Sequence, residues 1–299
     1  MITILGPTAT GKTSFAVYVA SQLNGEIISA DSRQVYRGMD IGTGKDLSEY
    51  EVDGLQIPYH LIDIVDPGYE YNVFEFQQDF LKAYETIEAK GKFPILCGGT
   101  GMYIESVLKG YKLINVPVNE ELREDLTIKS DEELEDLLLS FKAIHNTTDT
   151  TDRDRLMRAI EIQTYYDEHP DLDTHFPQIE TKIVGINFDR RVVRSRITER
   201  LDERLKGGMI EEVQSLLDQG VSEEVLKFYG LEYRFVTQYI KGEIAYNELF
   251  RRLETAIHQF SKRQMTWFRR MEKQGFEIHW VDGNLSHEQK MIQLMPLLR

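Results

Sequence analysis

The sequence predicts an α/β protein in which helices flank a parallel sheet and a small helical domain is inserted. Short apolar runs alternate with segments of helix length, a pattern typical of parallel sheets. A glycine-rich motif directly follows the first apolar run, and the middle of the chain has a helical pattern without a convincing strand. We therefore assign residues 1–114 and 182–299 to the α/β core, with a helical C-terminal part, and residues 115–181 to a helical insertion.

The predicted strands are spread over most of the chain, with helical segments between them. The segment Val73–Lys90 has apolar residues at close to helical spacing. The segment Glu120–Glu168 is also helical in pattern, and so is most of the chain after Arg190. The predicted strands of the sheet are Ile2–Leu5, Glu26–Ser29, Leu61–Val65, Phe93–Cys97 and Lys182–Phe188, with Glu277–Val281 as a candidate edge strand.

The residues after the first strand fit the phosphate-loop pattern G-x-x-x-x-G-K-[ST]. The motif needs a strand before it and a helix after it, and both are predicted here. Glycines let backbone N–H groups turn toward phosphate oxygens, while Lys12 supplies a point charge and Thr13 a ligand for Mg²⁺. The core is therefore predicted to be P-loop NTPase-like, and the usual ligand of such a loop is a nucleoside triphosphate such as ATP. The loop residues are Gly6, Pro7, Thr8, Ala9, Thr10, Gly11, Lys12 and Thr13.

A carboxylate follows the second predicted strand. Asp31 belongs to the segment Ser29–Tyr36, and the carboxyl ends of parallel strands form the edge where ligands bind. Asp31 is therefore predicted to face the phosphates. It could accept a proton from a hydroxyl, as in a kinase, or from an amine, as in another transferase. A role as a helix N-cap would also suit this position.

The composition favours a soluble, cytoplasmic protein and still allows it to bind a folded RNA. No apolar run approaches the roughly 18 residues of a membrane span, and no signal peptide is expected because the phosphate loop begins at residue 6. The single cysteine, Cys97, excludes an internal disulfide and favours a reducing compartment. The formal net charge of −15 argues against nonspecific nucleic-acid binding. Basic clusters at 190–206 and 251–273 still allow binding of a folded RNA.

An ordered set of motifs resembles the bacterial tRNA dimethylallyltransferase family. The resemblance runs from residue 2 to about residue 282. It implies transfer of a dimethylallyl group from its diphosphate to N6 of the adenosine just 3′ of the anticodon in tRNA, with Mg²⁺ as cofactor. The motifs are Gly6–Thr13, Ser29–Tyr36, Met39–Thr43, His60–Asp63, Gly98–Tyr103, Asp152–Glu161, Arg196–Arg200 and Lys262–Phe268.

The resemblance also implies roles for individual residues. The phosphate loop would hold the leaving diphosphate, with Arg200 matching a family arginine there. Asp31 matches the general base, and Thr100 matches a threonine that contacts the target nucleotide. The implied partners are dimethylallyl diphosphate and the anticodon stem-loop of tRNA. Apart from the resemblance, we expect a monomeric chain and no membrane partner. Residues implied to contact tRNA are Asp31, Ser32, Arg33, Gln34, Thr100, Arg123, Asp154, Arg155, Leu156, Met157 and Arg158.

Some segments leave the resemblance incomplete. In Phe228–Tyr233, Glu232 stands where the family has a basic residue. The segment Lys262–Phe268 is predicted only to pack its aromatic residues inward and show its bases outward. Asp63 is predicted either to hold Mg²⁺ through water or to form a salt bridge. Residues without metal-ligand spacing, predicted to be structural, are His60, His145 and Cys97.

Three other functions stay open. A small-molecule kinase on the same fold would need ATP and a hydroxyl acceptor. An adenylate dimethylallyltransferase would share the phosphate loop and Asp31 but act on a free nucleotide. The insertion, which carries Arg153, Arg155 and Arg158, favours RNA as the acceptor over a free nucleotide. A nucleotide-dependent switch or RNA-binding module is less favoured because the chain lacks an Asn-Lys-x-Asp guanine motif.

Overall fold

The computed structural model describes residues 1–52, 54–141, 152–171 and 175–298. The chain forms two compact units, the first made of residues 1–111 and 177–299 and the second of residues 112–176. The predicted insertion, 115–181, overlaps most of the second unit. His145, which the sequence predicts to be structural, lies outside the described residues.

The first unit is built on a parallel sheet. Its strands are β1 (Ile2–Leu5), β2 (Gly25–Ala30), β5 (Tyr59–His60), β6 (Phe93–Gly98), β7 (Lys182–Asn187) and β8 (Ile278–Asp282). Within the described residues this sheet has six strands in the order β5-β2-β6-β1-β7-β8, and all neighbours pair in parallel. The short strands β3 (Glu51–Val52) and β4 (Leu55–Gln56) form a separate antiparallel pair. The predicted parallel sheet is confirmed, with β8 as its edge.

The prediction of a strand at Leu61–Val65 is wrong. Leu61 and Asp63 have φ angles of 62° and 55°, which is left-handed backbone that an extended strand excludes. The edge strand β5 lies just before this segment instead. Val65 keeps one isolated parallel bridge to Tyr36, so the sheet is shorter at this edge than the apolar run suggested.

Helices flank the sheet and make up most of the chain after β7. The predicted helix at Val73–Lys90 is confirmed, and it begins where Asn72 and Glu75 form a capping box. Short 3₁₀ helices lie at Leu47–Tyr50 and Met295–Leu298. The α-helices are α1 (Lys12–Leu23), α2 (Val73–Ala89), α3 (Gly101–Leu108), α4 (Glu120–Thr127), α5 (Asp131–Phe141), α6 (Arg153–Glu168), α7 (Arg190–Lys206), α8 (Met209–Asp218), α9 (Glu223–Phe228), α10 (Leu231–Ile240), α11 (Tyr246–Lys273) and α12 (His287–Leu294).

Separate apolar cores hold these elements together. In the first unit, one core joins the sheet to α1 and another joins the helices from α7 to α11. In the second unit, α4, α5 and α6 pack around a core of their own. Among the described residues, no helix is both long enough and apolar enough to cross a membrane.

Candidate active site

The phosphate loop Gly6–Thr13 joins β1 to α1. Its backbone is left-handed at Ala9 and Gly11, with φ of 63° and 69°. A Cβ atom at Gly6 would lie 2.9 Å from the carbonyl oxygen of Ile186, so only glycine fits there. Helix α1 has no side-chain cap at its N-terminus. The amides of its first turn are therefore left, in the described part of the chain, to bind an anion.

Two threonines of the loop have different roles. The hydroxyl of Thr10 is buried and donates to the carbonyl of Pro7 at 2.8 Å, which stabilises the turn. Thr13 lies in the first turn of α1 and is only half-buried. In phosphate loops, the serine or threonine hydroxyl that follows the lysine holds Mg²⁺ together with substrate phosphates. A single hydroxyl beside a phosphate loop fits that pattern, and the described residues contain no cluster of three or more His, Cys, Asp or Glu that could hold a metal alone.

The side chain of Lys12 extends toward the turn after β6. A Cβ atom at Gly99 would lie 3.5 Å from Cε of Lys12. Burial lowers the pKa of Lys12, whereas the Asp31 carboxylate raises it and Arg200 lowers it. A diphosphate on the loop would add the negative charge that favours the ammonium form. The position of Lys12 is therefore suited to an anionic ligand.

Asp31 and Thr100 lie together at the carboxyl edge of the sheet. The Thr100 amide donates to the carbonyl of Ala30 at 3.1 Å, and the Ser32 amide donates to the Thr100 hydroxyl at 3.1 Å. One carboxylate oxygen of Asp31 accepts from the Arg33 amide at 3.0 Å. These bonds join the two turns through Ala30 and Ser32, the residues on either side of Asp31, and leave the second carboxylate oxygen of Asp31 without a hydrogen bond to any described residue. Two of the predicted catalytic residues are thus brought together.

Three arginines repeat every four residues along α7. Arg196 donates through Nε to the carbonyl of Ala9 in the phosphate loop at 2.7 Å. Arg200 and Arg204 each donate through Nη2 to one oxygen of Asp46, at 2.8 and 3.1 Å. Burial lowers the pKa of Arg204, and repulsion from Arg200 adds to this effect. The predicted diphosphate residue Arg200 is therefore held by a carboxylate that the sequence did not indicate.

A small pocket lies beside the phosphate loop in the first unit. One part of its wall is apolar, and the rest carries the charges of Arg200, Arg204 and Glu232. Burial raises the pKa of Glu232, against the opposing effect of the two arginines. An apolar wall next to a phosphate-binding loop suits a short hydrocarbon that is attached to a phosphate. The lining residues are Thr8, Ala9, Ile197, Arg200, Leu201, Arg204, Met209, Glu232 and Ile257.

The remaining predicted RNA contacts of the first unit differ in exposure. Ser32 and Arg33 are half-buried at the surface. Arg33 donates to the carbonyl of Phe228 at 3.2 Å, and its guanidinium lies 5.7 Å from the centre of that exposed ring. Gln34 is buried instead, accepting from Ser29 at 2.9 Å and donating to the carbonyl of Gly44 at 3.1 Å. The side chain of Gln34 is therefore used inside the protein.

In the second unit, Glu161 organises two of the predicted RNA-binding arginines. Arg123 donates to both of its oxygens, at 3.2 and 3.1 Å, and Arg158 also bonds this carboxylate. The Asn119 amide donates to it at 2.6 Å. Although burial acts to raise it, the pKa of Glu161 is held below its usual value by these hydrogen bonds. Arg123 and Arg158 are thus engaged internally, with about a third of each side chain exposed.

The first turns of α6 divide into exposed and buried positions. Asp154 and Arg155 are exposed. Leu156 is 1% exposed in the core of the second unit, and Met157 packs against that core. The side chains of Leu156 and Met157 are therefore placed for packing rather than for contact with RNA.

Several expectations about polar residues are settled by their contacts. Asp63 forms a salt bridge with the buried Lys45, which is one of the two predicted alternatives. His60 lies 2.7 Å from the buried carboxylate of Glu26, in a structural contact. Cys97 is buried, which raises the pKa of its thiol to about 12. All three are therefore structural in the first unit.

Sequence reasoning missed two polar residues that contact the site. Asp46 holds the arginines of α7, and Gln264 of α11 bonds the phosphate loop directly. Gln264 belongs to Lys262–Phe268, where Lys262 and Arg263 are exposed and Phe268 is buried. The predicted helix with inward aromatic residues is thus confirmed. The only sequence feature that could have indicated Gln264 is that this polar residue lies on the predicted inward side of the helical segment Lys262–Phe268.

Taken together, the fold and the site define a P-loop-type α/β protein. A phosphate loop and a carboxylate with a neighbouring hydroxyl share the carboxyl edge of one parallel sheet. Such an edge can hold a phosphorylated substrate and accept a proton from a second substrate.

Comparison with known proteins specifies the class further. Residues 34–271 match the family model described as IPP transferase, and residues 1–66 match one described as isopentenyl transferase. The chain belongs to the IPP transferase family of prenyltransferases. It is 60% identical to tRNA dimethylallyltransferase 2 of Bacteroides fragilis, over 97% of this chain and 95% of that one. It is 58% identical to tRNA dimethylallyltransferase 1 of Parabacteroides distasonis, over 100% and 97%.

A solved structure supports the same assignment. The crystal structure of tRNA isopentenylpyrophosphate transferase from Bacillus halodurans is similar with a TM-score of 0.72 and 30% identity. The similarity covers 99% of this chain and 94% of that one. The fold and family that the sequence motifs predicted are therefore confirmed.

Proposed function

We propose that this protein transfers a dimethylallyl group from dimethylallyl diphosphate to N6 of the adenosine just 3′ of the anticodon in tRNA, with release of diphosphate. The main structural support is that the phosphate loop lies at the same sheet edge as Asp31 and Thr100. Membership of the family, with relatives named tRNA dimethylallyltransferases, supports the substrate pair.

The donor is proposed to bind through its diphosphate. The first-turn amides of α1 and the ammonium of Lys12 would bind the phosphate oxygens, and the dimethylallyl group would lie against the apolar part of the wall of the neighbouring pocket. The hydroxyl of Thr13 would hold Mg²⁺ together with phosphate oxygens, and the ion would supply positive charge for the leaving group. These groups are fixed before the reaction, so they stabilise the charge that develops on diphosphate.

In the proposed reaction, one bond forms and one breaks at C1 of the dimethylallyl group. The C1–O bond breaks, and its electron pair leaves with diphosphate. N6 of adenine forms the new bond to C1 and loses one proton, which the carboxylate of Asp31 accepts. The hydroxyl of Thr100 is proposed to contact the target nucleotide and orient N6 toward C1.

The tRNA is proposed to bind through its anticodon stem-loop. Ser32 and Arg33 in the first unit, and Asp154 and Arg155 in the second, are available at the surface for such contacts. We propose that the protein acts in the cytoplasm as a monomer, because the phosphate loop, Asp31 and Thr100 all belong to one chain.

The proposal is tested by incubating the protein with unmodified tRNA, Mg²⁺ and dimethylallyl diphosphate, without ATP, followed by nucleoside analysis. We expect prenylated adenosine in the tRNA and free diphosphate in equal amounts. A strict requirement for ATP, with phosphate transferred to an acceptor, would refute the proposal in favour of a kinase.

A further inference from the structure

A buried glutamine links the two loops that the proposed reaction uses. Gln264 of α11 is 7% exposed. Its Oε1 accepts from the amide of Thr8 in the phosphate loop at 2.8 Å. Its Nε2 donates to the carbonyl of Gly99 at 2.9 Å. One side chain thus joins two segments that are far from it and from each other in the sequence.

The turn after β6 is shaped to receive α11. We call Gly98–Gly101 the glycine turn. A Cβ atom at Gly99 would lie 2.5 Å from Nε2 of Gln264, and one at Gly101 would overlap the ring of Trp267, one turn further along α11. A side chain at Gly99 would therefore displace the Gln264 amide, and one at Gly101 would displace the Trp267 ring. The glycines allow the close approach that the Gln264 hydrogen bonds require.

The geometry points to Gln264 as a positioning residue, which holds the phosphate loop and the glycine turn at a fixed separation. This inference rests on the proposed function. The glycine turn carries Thr100, and the phosphate loop carries the donor, so their separation determines the distance between N6 and C1. Because the Thr8 amide donates to Gln264, the diphosphate is bound by the other amides of the loop. Gln264 itself touches no reacting atom.

The test uses Gln264→Met, which keeps much of the volume but leaves the Thr8 amide and the Gly99 carbonyl without their partner. Misplacement of reacting groups by about 1 Å can cost about 10²-fold in rate. We expect kcat for tRNA prenylation to fall about 10- to 100-fold and the Kd of inorganic diphosphate, measured by calorimetry, to rise, while KM for tRNA stays unchanged.

A matched control separates positioning from general stability. Gln77 is also buried, and it donates to two backbone carbonyls, those of Ser106 and Tyr111, at 2.9 Å each. Gln77→Met should lower the melting temperature while leaving kcat and the diphosphate Kd at 25 °C near the wild-type values. If Gln264→Met behaves in the same way, Gln264 is only structural and the inference is wrong.

A second variant, Gln264→Glu, adds a pH readout within one folded protein. The neutral carboxyl can reproduce both bonds, because its C=O accepts from Thr8 and its O–H donates to Gly99. The ionised form loses the second bond and faces the Gly99 carbonyl, so burial and repulsion raise the pKa of the introduced group, against the opposing charge of Lys12, whose side chain also reaches Gly99. We expect the ratio of the kcat of Gln264→Glu to the wild-type kcat, measured at the same pH, to rise as the pH falls. A ratio that does not change with pH would contradict the inference.

The calorimetric measurement of diphosphate binding tests the role of Gln264 separately from the proposed prenylation of tRNA. If the wild-type protein does not prenylate tRNA, the proposed function fails. The diphosphate Kd of the Gln264 variants still decides whether this residue positions the phosphate loop.

Discussion

Replacing Asp31 by asparagine tests the proposed proton acceptor with little structural change. The amide side chain of Asp31→Asn keeps the oxygen that accepts from the Arg33 amide at 3.0 Å, so the turn after β2 should persist. The variant removes only the negative charge and the ability to take the N6 proton. General-base assistance is typically worth about 10²- to 10⁴-fold, or about 3 to 5 kcal/mol of activation free energy.

The same substitution should act in the opposite direction on donor binding. Asp31 contributes to the electrostatic environment of Lys12, so its carboxylate also repels a diphosphate bound there. Removing the charge should leave the Kd of inorganic diphosphate unchanged or make it smaller. We therefore expect kcat to fall while donor affinity is kept or improved.

The assay is single-turnover prenylation of tRNA by rapid quench, with diphosphate affinity measured by calorimetry. The control is Asp66→Asn, which breaks an exposed pair with Arg37 at 2.9 Å and should change neither quantity. A rate for Asp31→Asn within threefold of wild type, on the order of the scatter expected of a surface variant, would refute a catalytic role for Asp31.

Three further predictions concern ligand binding and stability. Lys12→Ala should weaken calorimetric binding of inorganic diphosphate about 10- to 100-fold with little change in tRNA affinity. Arg155→Ala should reduce the salt dependence of tRNA affinity by about one phosphate contact, measured by fluorescence anisotropy across a salt series. Glu161→Gln should lower the free energy of unfolding by about 2 kcal/mol in urea titrations at neutral pH, because its bonds to Arg123 and Arg158 lose their charge. In the wild-type protein, the pKa of Glu161 is lower in the folded state than its unfolded-state value of 4.5. The stability that Glu161 contributes is therefore fully present above pH 4.5 and is lost as the pH falls through the folded-state pKa.

Each of these predictions has a contradicting outcome. Equal diphosphate affinity in Lys12→Ala would show that the phosphate loop does not bind the donor through this lysine. For Arg155→Ala, a salt slope no different from that of Lys82→Ala, which changes an exposed lysine on α2, would exclude a phosphate contact. For Glu161→Gln, the prediction is wrong if the difference from wild type does not shrink as the solution is acidified.

Local motifs in the sequence were sufficient to predict the phosphate loop. The pattern Gly6–Thr13 sets its own spacing, and an apolar strand and a helix flank it, so its position in the fold follows from local sequence. Asp31 could be placed at the ligand-binding edge because parallel strands end at a common edge, whereas Thr100 was indicated only by the family resemblance. The apolar run Leu61–Val65 misled the strand prediction, since its composition does not reveal the left-handed backbone at two of its residues.

The residues that hold the site together could not be predicted in this way. Gln264 contacts Thr8 and Gly99, and Asp46 contacts Arg200, across more than 150 residues in every case. Such contacts depend on how helices pack against the sheet, which periodicity does not specify. Likewise, α7 carries apolar residues and arginines at the same spacing of four, and only packing shows which side meets the pocket.

The central claim is that the acceptor is tRNA and the donor is dimethylallyl diphosphate. The most direct measurement supplies labelled dimethylallyl diphosphate to the wild-type protein in a mixture of unmodified tRNA, AMP and ATP, then maps the label after nuclease digestion. We predict that the label is on the adenosine just 3′ of the anticodon, with AMP and ATP unlabelled and ATP not consumed. Label on AMP, or phosphate transfer from ATP in place of prenylation, would contradict the account.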